Sequence, residues 1–179
     1  LRTIEDSLGQ NHPSAIKYIY DLGFFYLQTG RPKEAKDLVE RVHLHYSADG
    51  TETLDLARAL KLLGVLSGKE RKYSDAELYY KRALAIVNTT GDTTSGIGAD
   101  ILNNLGLIYY EQGRYEEAIE MYKSALLKLQ DRYGLISVQL DPTLSNLAWA
   151  LWKSGKSVEA IGLWQRRLEM YGRLSDQYV

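Results

Sequence analysis

Cysteine is absent from this chain of 179 residues. That excludes a disulfide framework, a thiolate metal site and a cysteine nucleophile. The absence suits an intracellular protein, and a cytoplasmic location is the expectation, with any targeting signal lying outside this stretch. Proline is scarce too, with three residues in all, so little interrupts a helix. No apolar run approaches the roughly 18 residues that a membrane-spanning helix needs, so direct membrane insertion is not expected. Neither sign of charge is in excess: 22 Lys and Arg stand against 23 Asp and Glu. Such a balance is no electrostatic footprint for nucleic acid or for an anionic bilayer. The first residues have no signal-peptide pattern. Leu1, Ile4 and Leu8 instead have helical spacing and read as the end of a helix from a preceding unit. What is present, 45% hydrophobic and 25% charged residues, is the composition of a folded chain.

The strongest signal is internal repetition. A Leu-Gly pair occurs at Leu22-Gly23, Leu63-Gly64 and Leu105-Gly106, and returns as Leu147-Ala148. Twelve residues after each small residue stands an alanine: Ala35, Ala76, Ala118 and Ala160. Four further on stands a bulky residue: Val39, Tyr80, Tyr122 and Trp164. Three before each leucine stands an aliphatic: Ile19, Leu60, Leu102 and Leu144. All four series keep the same spacing of 41, 42 and 42 residues. Small residues at a helix crossing let backbones approach, and large ones fill the space around them. Breakers lie between the two halves of a unit, at Gly30-Arg31-Pro32, Gly113-Arg114 and Gly155-Lys156. The second unit has Arg71 where the others have glycine, so its turn is expected to be the least regular. Ser74-Asp75-Ala76-Glu77 reads as a capping box, and Asp141-Pro142 as a cap and first turn. Thr89 to Gly98, rich in Thr, Gly and Ser, reads as a flexible loop.

This pattern resembles the tetratricopeptide repeat (TPR), in its kinesin-light-chain form. Leu102-Asn103-Asn104-Leu105, the run Gln112 to Ala118 and the linker-like Leu8-Gly9-Gln10-Asn11-His12-Pro13 carry the resemblance. It implies an all-α fold, a right-handed superhelical TPR solenoid of about four helix-turn-helix repeats. Residues 1–12 would end a preceding repeat and link to the next. Repeats would then occupy 13–50, 51–95, 96–137 and 138–179, the last with a C-terminal tail. Arg167 replaces the alanine of Ala83 and Ala125, so the last helix is expected to present a polar face.

Chemistry is hard to find. His43 and His45 are two apart on a helix and do not share a face, which disfavours a metal pair. Gly96-Ile97-Gly98 lacks the third glycine and the preceding strand of a phosphate loop. Glu116, Glu117 and Glu120 sit at a helix start, where the dipole favours negative charge. No catalytic constellation emerges. The chain is not expected to be an enzyme or to hold a cofactor or metal.

The expected function is therefore binding of a protein or peptide. The resemblance implies that the first helix of each repeat lines a concave groove. Groove positions would be Lys17, Tyr20, Asp21, Phe24 and Leu27; Arg58, Lys61, Leu62, Val65 and Lys69; Asp100, Asn103, Asn104, Leu107, Tyr110 and Glu111; and Ser145, Asn146, Trp149, Trp152 and Lys153. Asn104 and Asn146 align, and an amide there can donate to and accept from the backbone of an extended ligand at once. Asp21 and Leu62 stand at the equivalent places, so a full carboxylate clamp is not expected. Lys17, Arg58 and Lys61 form a basic patch, and Asp100 with Glu111 makes the second half mildly acidic. Such a module would belong to a larger adaptor or scaffold. Alternatively it would serve a signalling protein as a regulatory sensor or oligomerisation domain, with an intramolecular partner domain.

Overall fold

The computed structural model describes residues 13–48, 50, 52–92 and 96–175. Among them are eight α-helices, one 3-10 turn and no strand. The chain divides into two compact units, residues 1–90 and 91–179. The first contains α1 (Pro13–Gln28), α2 (Pro32–Ala48), α3 (Leu54–Lys69) and α4 (Tyr73–Thr90). The second contains α5 (Ile97–Glu111), α6 (Tyr115–Tyr133), the 3-10 turn Val138–Leu140, α7 (Asp141–Lys153) and α8 (Ser157–Ser175). In each unit consecutive helices pack on one another, α1 on α2, α2 on α3 and α3 on α4, then α5 on α6, α6 on α7 and α7 on α8. The fold is all-α, with four helix pairs. Leu8 to His12, which carry the linker resemblance, lie outside the described residues, as do Leu1 and Ile4.

What holds each pair together is a slot. A Cβ placed on Gly106 would come within 2.7 Å of the Tyr122 ring, and one on Gly64 within 2.5 Å of the Tyr80 ring. At Gly23 the neighbour is Val39 Cγ2, at 2.9 Å. The glycine is thus not merely small. It leaves room for a specific bulky side chain sixteen residues on, and that side chain is buried: Val39, Tyr80 and Tyr122 are at most 2% exposed. Burying a large side chain contributes roughly 1.5–3 kcal/mol, more than the ~1 kcal/mol that glycine costs in a helix. Ala35, Ala76, Ala118 and Ala160 are fully buried at the same crossings. In the fourth pair Ala148 takes the glycine's place and is itself fully buried. Its partner Trp164 is only half-buried and meets Trp149 edge-on, with ring centroids 5.6 Å apart.

The turns inside the pairs share one backbone design. Arg31 N–H donates to Tyr26 O at 2.8 Å, Arg114 to Tyr109 O at 2.9 Å, and Lys156 to Leu151 O at 2.8 Å. In each the preceding glycine is left-handed, as at Gly113 with φ 75°. The turn expected to be irregular is not: Lys72 N–H donates to Ser67 O at 2.9 Å, and Arg71 adopts φ 58°. The fold imposes the same turn, and Arg71 bears the strain of a conformation that a Cβ disfavours.

Three readings of element ends need correction. α4 begins at Tyr73, and Ala76 N–H donates to Lys72 O. Ser74 therefore lies inside the helix and not at its cap, and Glu77 accepts an ion pair from Lys81 at 2.6 Å. A side-chain cap exists elsewhere, at Thr53, whose Oγ1 accepts from Leu56 N–H at 3.2 Å. The span Thr89 to Gly98 is less of a loop than its composition suggests. α4 runs through Thr90 and α5 starts at Ile97, whose side chain is buried; residues 93–95 lie outside the described residues.

Two outcomes follow from the slot and the strained turn. Gly106→Ala should destabilise the chain by about 1–3 kcal/mol through overpacking against Tyr122, despite alanine's better helix propensity; urea unfolding would measure it. Arg71→Gly should stabilise by roughly 0.5–1 kcal/mol, the left-handed penalty less the added chain entropy of glycine, seen as a higher urea midpoint.

Candidate functional site

One register position is apolar on the first helix of every pair: Phe24, Val65, Leu107 and Trp149. It lies one residue past the slot glycine, so the slot turns it about 100° away from the pair's own core. Phe24, Leu107 and Trp149 are accordingly 44–46% exposed. Val65 differs, being partly buried against the first unit's core.

In the second unit this position becomes a depression. Leu107, Tyr110, Tyr122, Asn146 and Trp149 line a cavity of about 360 Å³. Tyr122 closes it from within the Gly106 slot. Tyr110 is braced by Tyr115, with centroids 5.4 Å apart, and burial pushes its phenol pKa up, so it stays a neutral donor. Trp149 is held edge-on by Trp152 at 5.4 Å and by Trp164 at 5.6 Å. Aromatic pairs in this arrangement lock ring orientation and add about 0.5–1.5 kcal/mol beyond burial. Lys153 sits over the Trp152 ring at 4.9 Å, which leaves Trp152 facing a cation.

The amides beside this depression are not equivalent. Asn103 Nδ2 donates to Thr143 Oγ1 at 2.6 Å, so its amide ties α5 to α7. Asn104 and Asn146 are half-buried and their side chains have no hydrogen-bond partner among the described residues. Of the expected residues here, Leu107, Tyr110, Asn146 and Trp149 come together at the cavity, while Asn103 serves packing. Tyr122 and Trp164 were read as core only. The signal that links them to the surface is their spacing from Gly106 and Ala148, sixteen residues back in each case.

The N-terminus of α7 is anchored as well. Asp141 does not cap the helix; Leu140 stands at the cap and Asp141 within the first turn. Its carboxylate receives Arg167 in a bidentate pair, Nε to Oδ1 at 2.6 Å and Nη2 to Oδ2 at 3.0 Å. The Arg167 hydrogen bonds hold the Asp141 carboxyl below its ordinary pKa. Arg167 is thus a tie to the helix that carries Asn146 and Trp149, and not part of a free polar face.

The first unit holds its expected residues differently. Lys17, Tyr20 and Arg58 line a cavity of about 430 Å³ with Ile16, Asp21, Val42, Tyr46 and Asp55. Phe24, Lys61 and Val65 are not among its walls. The basic patch needs correction here, because two carboxylates share the wall. Arg58 Nη1 meets Asp55 Oδ1 at 2.6 Å, and Asp21 stands four residues from Lys17. The cavity is mixed in charge, so the groove is not basic in this half. Leu27 and Leu62, placed in the groove by their register, are 7% and 2% exposed and belong to the core. Among the described residues no group of three or more His, Asp or Glu is placed to hold a metal ion. No described helix is long and apolar enough to cross a membrane.

Comparison with known proteins agrees with this architecture. A tetratricopeptide repeat family model matches residues 8–89 and 99–173, and a second one residues 62–133. Kinesin light chain-related protein 3 of Arabidopsis thaliana is 26% identical over 157 residues, covering 79% of this chain and 24% of that protein. The human protein O-mannosyl-transferase TMTC1 is 40% identical over 67 residues, covering 37% of this chain and 7% of that protein. The crystal structure of BtubC (BKLC) from P. vanneervenii superposes with a TM-score of 0.82 at 24% identity, over 90% of this chain and 65% of that one. That likeness carries the fold alone. The chain spans about a quarter of the Arabidopsis relative.

The Asp141–Arg167 tie has a pH signature. A carboxyl with a depressed folded pKa contributes its full stability above the unfolded value of about 3.9 and loses it as pH falls through the folded value. Wild-type protein should exceed Asp141→Asn in stability at pH 6, and the gap should narrow steadily toward pH 2 in urea titrations.

Proposed function

Because this chain belongs to the tetratricopeptide repeat family, whose helix pairs are protein-interaction scaffolds, we propose that it binds an extended protein segment on the face carrying Asn104, Leu107, Tyr110, Asn146 and Trp149. The observation that carries the reading is the pairing of two amides without intramolecular partners with a preformed apolar cavity between α5 and α7. A peptide backbone needs a donor and an acceptor together, which one carboxamide supplies. A side chain of the segment enters the cavity, where Trp149 and Tyr110 are already oriented and little entropy is lost on binding. Lys17, Tyr20 and Arg58, lining the mixed-charge cavity of the first unit, offer the segment a separate polar contact; Phe24, Lys61 and Val65 stand outside it. The module works as part of a larger adaptor, in keeping with the kinesin light chain-related similarity.

Peptides selected from a displayed random library against the chain give the test. An Asn104→Ala/Asn146→Ala double variant should keep its helical circular dichroism and bind them about 10-fold more weakly by calorimetry, at roughly 1 kcal/mol or less per lost hydrogen bond. Equal affinity for both proteins would overturn the proposal.

A further inference from the structure

The last helix carries a second apolar surface, unrelated to the amide-lined face. In the 42-residue register Ile161 of α8 corresponds to Ile119 of α6, and Leu168 to Leu126. The residue types are the same and the environments are opposite. Ile119 and Leu126 are 3% and 7% exposed, whereas Ile161 and Leu168 are 50% and 76% exposed. The difference lies in the neighbours. α6 packs between α5 and α7, while the substantial helical neighbour of α8 among the described residues is α7. Ile161 and Leu168, seven residues apart, lie on one face. Gly162 and Gly172 border that face with nothing within 4 Å of where a Cβ would stand, so another backbone can come close.

We propose that the Ile161–Leu168 face of α8 is a docking surface for the first helix of another tetratricopeptide pair. Its chemistry follows from α7, the helix that packs on α6. α7 fully buries Thr143 and Ala150, seven apart and, at 100° per residue, on the side opposite the Ala148 slot. The occupant is therefore a helix with small residues at those two positions. A second copy of this chain does not offer one through its own first helix. At the same register positions α1 carries Tyr18 and Phe25, which are too large for a face shaped like that of α6.

The test extends the chain by its own repeat. A second copy of residues 134–175 is placed directly behind residue 175, which preserves the register. The extended protein should melt in a single transition with proportionally more helical signal. Leu168→Glu at the original position should lower its midpoint by several degrees or split the transition. The same substitution in the chain of 179 residues should shift its midpoint by less than about 1 °C, since Leu168 is exposed there. An appended pair that stays unfolded, or that melts apart from the rest whichever residue stands at 168, overturns the proposal. So does a concentration-dependent dimer of the original chain that Leu168→Glu disperses in sedimentation equilibrium, which would assign the face to a second copy.

Discussion

Everything in this protein depends on one close approach, a glycine on the first helix of a pair facing a bulky side chain on the second. Tyr80 and Tyr122 sit where the Cβ of Gly64 and Gly106 would have been. That contact fixes which side of each first helix turns inward. Helical periodicity then decides the rest. The residue after the glycine is carried about 100° around the helix, and it becomes Phe24, Leu107 or Trp149 at the surface. Packing of the pair and exposure of the binding position are two results of the same constraint.

The fourth pair shows what happens when the contact changes. Ala148 fills part of the slot, and Trp164 is half-buried where Tyr122 is buried. The indole instead meets Trp149, which already faces Trp152. A packing compromise inside the pair thereby stiffens the aromatic wall outside it. The Asp141–Arg167 pair adds to this by fixing the start of α7 to α8. Arg167 occupies a position where Ala83 and Ala125 are fully buried. The substitution exchanges a close apolar contact for a polar tie, and the charged group is satisfied because Asp141 lies across from it.

The pairs themselves were legible in the sequence, because a slot requires two residue types at a fixed spacing and that spacing recurs. The turns were legible through glycine, and where glycine was missing, at Arg71, the backbone kept its conformation regardless. Tertiary packing overrode a local preference there. Helix starts were less legible: Ser74 and Asp141 have the right chemistry for caps, but the helices begin one residue earlier than each cap would need. Leu27 and Leu62 fell on the groove side by register and are buried by packing that their own helix pattern does not report. Asn103 and Asn104 are adjacent and of one type, and only the presence of Thr143 forty residues on separates a packing amide from an open one. Charge was misjudged for a simpler reason, since Asp55 lies three residues from Arg58 and neutralises it.

The arrangement places all three tryptophans of the chain in α7 and α8, with Trp149 the one on the cavity wall. Tryptophan emission during titration with a selected peptide therefore reports most directly on whether the segment enters between α5 and α7. The account predicts a saturable shift in emission that persists in Trp152→Phe and disappears in Trp149→Phe. A peptide that saturates the protein by calorimetry while leaving the emission unchanged would contradict it.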